Sequence, residues 1–246
     1  MPVFELDNAP TFPPPHFAEP GGLLAVGGDL SPRRLLTAYA AGIFPWPHEG
    51  YPLLWFSPDP RMVLVPDRLH VARRLRRRLR QRPYRVTLDT ACPRVIEACA
   101  TVPRGRETGT WITAEMIEAY VRLHELGFVH SAEAWRGEAL VGGIYGVSLG
   151  GAFIGESMFH RADGASRAAF IALVLQIRRW GFGLLDAQVP TDHVRRYGAR
   201  PWPRSRYLKV LARLVEQPTR RGRWQLDEDL TYPLAGPADS APDPAP

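Results

Sequence analysis

Residues 130–160 read HSAEAWRGEALVGGIYGVSLGGAFIGESMFH. Three runs stand out: HSAEAWR, ALVGGIYGV and AFIGESMF. They are separated by Arg-Gly-Glu and by Leu-Gly-Gly. Each run has the length and composition of a strand, and each break carries the glycine a tight turn needs. The stretch predicts an antiparallel meander of three strands. It is also the most apolar part of the chain, and its repeated glycines argue against a membrane-spanning helix.

Further elements are expected on both sides. Upstream, YRVTLDT (84–90) reads as a strand and CPRVIEACAT (92–101) as a helix. Thr113 caps a helix through TAEMIEAYVRLHELG, which Gly127 closes. Downstream, a helix is expected over 166–180 with Ser166 as its cap. A strand GLLDAQV (183–189), a short helix at 190–197 and a helix over 204–216 follow. The class is α+β, with an antiparallel or mixed sheet and helices packed on it. The first sixty residues differ, being dense in proline, glycine and aromatics. They predict a small, irregular N-terminal domain (1–60) with one helix, capped by Ser31 and closed at Gly42. A second domain spans 61–233. The Ala/Pro/Asp tail 234–246 is expected to be disordered.

Charge is unevenly placed. Positions 72–82 read ARRLRRRLRQR, with seven arginines in eleven residues. The chain has 31 basic and 25 acidic residues, so without that run it would have 24 against 25. The excess is therefore local, which points to a docking surface for a polyanion. Val71, Leu75 and Leu79 recur every four residues and give the run one apolar helical face. Residues 68–88 contain no Asp or Glu to offset the repulsion. A phosphate backbone would offset it, and three aliphatic residues are too few to anchor a helix in lipid.

The N-terminus has neither the cationic start nor the apolar run of a signal peptide. Cys92 and Cys99 lie seven apart, without a second pair for zinc or an oxidising context, so they read as buried thiols in a cytoplasmic protein. The histidines show no metal-ligand spacing, and no metal is expected.

Asp186 and Gln188 are two apart in an otherwise apolar predicted strand, so they share a face. Burial of an acid and an amide is costly without partners. One reading is a satisfied structural pair. The other is an acid that takes a proton or holds an amine, beside an amide that orients a reacting group. Glu156 ends the apolar run AFIG, next to Ser157, and reads either as a strand-end surface carboxylate or as a second acid with a functional role like that of Asp186. Ser157 lacks the G-x-S-x-G frame of a serine hydrolase. Trp46, between two prolines, and Trp111, just before a helix, are hard to explain as core. Exposed aromatics near arginines can stack nucleobases.

Several long strings occur in family order: GGLLAVGGDLSPRRLLTAYAAGIFPW, LLWFSPDPR, GTWIT, YVRLHELGFVHSAEAW, LVGGIYGV, GESMF and LLDAQVPTDH. Together they resemble bacterial leucyl/phenylalanyl-tRNA–protein transferases over about residues 12–209. The resemblance implies a small N-terminal domain followed by an acetyltransferase-like (GNAT-like) domain. It implies transfer of Leu, Phe or Met from aminoacyl-tRNA to the N-terminal Arg or Lys of acceptor proteins, which creates an N-degron. It implies no cofactor, a cytoplasmic location, a monomer and no membrane partner. By the same resemblance, Asp186, Gln188 and Glu156 are the catalytic residues. Trp46, Trp111, Tyr120 and Ser157 surround the aminoacyl-adenosine end. Ile144, Phe153, Leu173 and Leu185 line the side-chain pocket, and Arg73, Arg76, Arg77 and Arg80 grip the tRNA. Ile144 and Leu173 are apolar but depart in shape from the Met and Phe familiar there. The rival reading is an acyl-CoA-dependent N-acetyltransferase of the same fold, because RADGAS (161–166) approaches a pyrophosphate-binding loop. That rival leaves the arginine run unexplained.

Overall fold

The structure is a computed structural model that describes residues 3–48, 50–102 and 112–234. Trp111 and the tail from 235 onward lie outside the described residues.

Four short strands form a first sheet: β1 (Phe4–Leu6), β2 (Leu23–Gly27), β3 (Phe44–Pro45) and β4 (Leu54–Phe56), in the order β1-β2-β4-β3. Helix α1 (Pro32–Ala40) connects β2 to β3. The Ser31 hydroxyl accepts the Arg34 N–H and Pro32 occupies the first turn, as the sequence predicts. The N-terminal segment is therefore more regular than expected. Its strands are two to five residues long, too short for alternating polarity to show against the surrounding prolines and glycines.

Seven strands form the larger sheet. They are β5 (Arg61–Leu64), β6 (Arg85–Leu88), β7 (Val129–Arg136), β8 (Ala139–Leu149), β9 (Ala152–His160), β10 (Leu184–Asp186) and β11 (Arg200–Trp202). Their order is β11-β5-β10-β9-β8-β7-β6. The predicted meander is β7-β8-β9, paired antiparallel throughout. Gly146 is required at the bulge between β8 and β9, since a Cβ there would sit 2.2 Å from the Ile154 carbonyl oxygen. The sequence reading missed β5 and β11. The first begins inside a proline-rich string and the second contains Pro201, which marks a sheet edge.

Helices α2 (Arg73–Arg80), α3 (Cys92–Thr101), α4 (Ala114–Glu125), α5 (Ala165–Arg179), α6 (Asp192–Arg195) and α7 (Arg204–Val215) complete the α+β fold. Thr113 caps α4, as predicted. Ser166 does not cap α5. Gly164 does, at φ 83°, and Ser166 is buried in the first turn. The left-handed conformation needed there favours glycine over serine. Val71, just before α2, and Leu79 on it are buried and Leu75 is half-buried, while Arg73, Arg74, Arg76, Arg77 and Arg80 are exposed. The four-residue spacing thus identified the inward face correctly. Cys92 and Cys99 are both buried. Among the described residues, no helix is long and apolar enough to cross a membrane.

One topological detail positions the site. Strands β9 and β10 are the parallel pair of the large sheet, joined through α5. Their pairing ends at Asp186 and Ile154, yet β9 runs on to His160. Beyond Asp186 the chain turns away, and Gln188 adopts φ 59°. The strand expected to reach Val189 therefore stops three residues early. Asp186 and Gln188 do not share a strand face. The parting leaves the second half of β9 facing open space, the usual place for a ligand in a sheet with parallel strands.

Candidate active site

That space is a cavity of about 680 Å³. Phe44, Trp46, Ile144 and Leu185 give it an apolar wall, and Glu156, Ser157 and Gln188 add polar groups. Six of the residues singled out from the sequence meet here: Trp46, Ile144, Glu156, Ser157, Leu185 and Gln188. Phe153 and Leu173 are fully buried in the core that also contains Ile144 and Leu185. Tyr120 and Asp186 are fully buried as well; Tyr120 is linked to the cavity wall through Glu156 and Asp186 through the Gln188 backbone.

Two hydrogen-bonded clusters support the wall. In the first, Arg61 Nε lies 2.8 Å and Nη2 2.7 Å from the two Asp186 carboxylate oxygens. The Tyr207 hydroxyl donates to Asp186 Oδ2 at 2.7 Å, and the Gln188 backbone N–H donates to Oδ1 at 2.8 Å. The Arg61 guanidinium is sandwiched between the Phe44 and Tyr207 rings, 4.7 Å from each centroid. Burial alone would lower the Arg61 pKa, but the Asp186 charge overrides it and holds it above its usual value. A bidentate pair with further donors is the geometry in which two buried charges offset their desolvation. The Asp186 carboxylate is fully engaged by these donors.

In the second cluster, Gln188 Nε2 donates to Glu156 Oε1 at 2.9 Å and the Tyr120 hydroxyl donates to Oε2 at 3.0 Å. Tyr39 and Tyr120 are hydrogen-bonded through their hydroxyls. Every donor to Glu156 is neutral. Burial pushes its pKa up to about 7; the tyrosine hydroxyls pull it down, Asp186 pushes it up and Arg61 pulls it down. Burial also holds the Tyr39 and Tyr120 phenols protonated. Glu156 is not at a strand end, as its sequence position suggested. The strand continues four residues beyond it.

Sequence reasoning missed Arg61, Tyr207 and Tyr39. Arg61 carried the one available signal, a charge at the head of the apolar run MVLV. Its partner lies 125 residues away, beyond any local pattern.

The arginine helix stands close to the same cavity. Arg78 pairs with Asp163, which precedes the cavity-lining Gly164. Arg73, Arg76, Arg77 and Arg80 face solvent, and none of them forms an ion pair with another of the described residues.

An apolar cleft with a carboxyl group poised near neutrality has what an enzyme needs to bind a substrate and exchange a proton with it. Which one follows from similarity to known proteins. Residues 63–212 match the leucyl/phenylalanyl-tRNA protein transferase family and residues 28–59 match that family's N-terminal domain. The leucyl/phenylalanyl-tRNA–protein transferase of Anaeromyxobacter dehalogenans is 60% identical, covering 92% of this chain and 97% of that protein. The Myxococcus xanthus enzyme of the same name is 57% identical, covering 91% and 97%. The chain belongs to this family. Among solved structures, L-PGS from Bacillus licheniformis matches with a TM-score of 0.40 at 11% identity, covering 69% of this chain and 53% of that one. A likeness of that size does not assign the larger domain to the acetyltransferase-like fold.

Proposed function

We propose that this chain moves leucine, phenylalanine or methionine from aminoacyl-tRNA to the N-terminal Arg or Lys of acceptor proteins. The new N-terminus is an N-degron, and a tRNA-dependent reaction of this kind belongs in the cytoplasm. The observation that carries the reading is the Glu156–Gln188 pair on the wall of an apolar cavity beside the arginine helix. The end of the small sheet near residue 60 supports dividing the chain there into an N-terminal and a larger catalytic part.

The donor ester is already activated, so the enzyme needs no covalent intermediate. It must hold the amine against the carbonyl and manage one proton. The acceptor nitrogen attacks the ester carbonyl carbon. A C–N bond forms, the C–O bond to the ribose breaks, and the amine proton ends on the ribose oxygen. Glu156 is the group we assign to carry that proton. It lies at the cavity wall, and a pKa of about 7 suits exchange in both directions. Gln188 Nε2 is fixed by Glu156, which leaves the amide oxygen to accept from the incoming amine. Asp186 is a positioning residue in this scheme. Its carboxylate is occupied by Arg61 and Tyr207, and it fixes the Gln188 backbone. Tyr120 acts through Glu156 in the same way.

Ile144 and Leu185 offer the donor side chain an apolar surface. Burying an unpaired polar group there would cost about 1–3 kcal/mol, which selects against polar amino acids. Similar apolar chains are separated by only about 1–3 kcal/mol per methylene, which suits an enzyme that takes several. Arg73, Arg76, Arg77 and Arg80 hold the tRNA by its phosphates, independent of sequence.

The test is to incubate the protein with Leu-tRNA and a peptide that begins with Arg, and to measure leucine on the peptide N-terminus. An Ala-start peptide, and acetyl-CoA in place of the tRNA, are the controls. Leucine on the Arg peptide alone is expected. Acetyl transfer without leucine transfer would refute the donor assignment.

A further inference from the structure

The cavity has a second end with different chemistry. Glu156 and His160 both lie on β9, four residues and so about 13 Å apart. At the His160 end the lining residues include Ser166, Arg167 and His193. Nothing in the proton transfer uses them.

Their state is unusual. His193 Nε2 is buried and has no hydrogen-bond partner among the described residues. A buried polar atom without a partner is rare in a finished protein and calls for an explanation, of which a docked ligand is one. Arg167 Nη2 is 3.7 Å from Asp163 Oδ1, a loose contact that leaves most of its donors free. Burial first, then Arg167, Arg196 and His160, all lower the pKa of His193. A neutral imidazole there can donate one N–H without a second charge being desolvated. The acid beside this end, Asp163, is already engaged by Arg78 and lies close to Arg167 and His160.

Arg78 belongs to α2, and its guanidinium lies over Gly164. The arginine helix is therefore tied to this end of the cavity and not to the Glu156 end. A polyanion lying on α2 would reach the cavity here.

We infer that Arg167, His193 and His160 form a seat for a phosphate in the single-stranded 3′ end of the donor tRNA, the one preceding the terminal nucleoside. The inference rests on the aminoacyl-tRNA reading above. The terminal nucleoside then lies along β9 between the seat and Glu156, with its ester at Glu156 and Gln188. The stem stays outside on the exposed arginines of α2. The seat sets the register of the ester along the strand, which a sequence-blind grip on the stem cannot do.

Two minimal donors test this: 3′-O-phenylalanyl-adenosine and the same compound with a 5′-phosphate, each with the Arg-start peptide, and intact Phe-tRNA alongside. The wild-type protein should show a KM about tenfold lower for the phosphorylated donor, the worth of one or two charge-assisted hydrogen bonds. In Arg167→Ala and His193→Ala the ratio of the two KM values should fall towards one. Arg167→Gln keeps the aliphatic stem and serves if the alanine variant does not fold. A wild-type enzyme indifferent to the phosphate, or variants that keep the ratio, would overturn the seat while leaving the transferase reading intact. Failure with intact Phe-tRNA as well would remove both. If acetyl-CoA abolished the advantage of the phosphorylated donor, the seat would belong to a coenzyme pyrophosphate and not to tRNA.

Discussion

Asp186 and Glu156 are buried carboxylates one strand apart, and the protein treats them in opposite ways. Asp186 faces a guanidinium and receives donors from Tyr207 and Gln188 as well. Glu156 receives only neutral donors and borders open space. The first arrangement locks a carboxylate into a bidentate pair with a guanidinium. The second leaves a proton free to come and go near neutral pH. Under the proposed function, two acids that looked alike in the sequence divide into a strut and a working group. The choice is made by Arg61, whose strand β5 pairs directly with β10.

Breaking the strut should have the largest effect. Arg61→Met leaves the Asp186 carboxylate buried without its charge partner, at a cost of about 3–5 kcal/mol. Urea unfolding of the variant measures this. A loss below about 1 kcal/mol would mean that Asp186 takes up a proton easily, and the contrast with Glu156 would collapse.

Next comes the working group. Glu156→Gln keeps the shape and should lower the transfer rate about 100-fold or more, within the usual range for a general base. Because Glu156 must be ionised to take a proton, the wild-type rate should climb as pH rises through about 7. The Gln variant should lose that climb. A variant with full activity and the same pH profile would pass the role to another group, Asp186 foremost.

These two roles were partly visible in the sequence. The meander was, because its three runs are long and its turns carry glycine in the right places. Helices with a Thr113 or Ser31 cap were as well, since a cap is a local signal. The short strands around Pro45, Pro60 and Pro201 were not, because their pairing is set by partners far along the chain. Asp186, Gln188 and Glu156 could be picked out as polar residues in apolar surroundings. Their division of labour could not, for it depends on Arg61, Tyr207 and Tyr39, which arrive from other elements. The left-handed turn at Gln188 was also hidden, since glutamine gives no local sign of a positive φ.

Glu133 sharpens the comparison as a third buried acid. It too has neutral donors, with Thr87 Oγ1 at 2.6 Å, and burial pushes its pKa up to about 7 despite hydrogen bonds from Ser131, Thr87 and the Ala91 N–H that lower it. It does not line the cavity. A raised carboxyl pKa means that the folded state holds more protons than the unfolded one between about 4.5 and about 7. Stability should therefore fall as pH rises through that window and level off above it. Glu133→Gln should remove on the order of 2 kcal/mol from that fall, read from urea midpoints at pH 5 and pH 8. It should not move the pH dependence of the rate. If it did, raised pKa alone would not separate the working acid from its buried neighbours.

The smallest effect on stability, and the sharpest contrast with Arg61, belongs to the arginines of α2. Arg73, Arg76, Arg77 and Arg80 are exposed, and like charges packed along one helix repel. Changing Arg73, Arg77 and Arg80 together to alanine should shift stability by no more than about 0.5 kcal/mol per site, and towards greater stability, since alanine also favours the helix. Binding should respond in the opposite sense. Each lost phosphate contact removes about 0.7–0.9 from the slope of log affinity against log salt, so the triple variant should bind tRNA more weakly and with a flatter salt dependence. Equal slopes for wild type and variant would mean that the tRNA does not lie on α2. The run would then be a solvated helix face, and the path from α2 to the cavity would have to be drawn from another surface. One arginine bound inside the protein to one aspartate, and several outside it without an acidic partner among the described residues, thus give opposite answers to the same substitution. The difference lies in whether the protein or its ligand supplies the counter-charge.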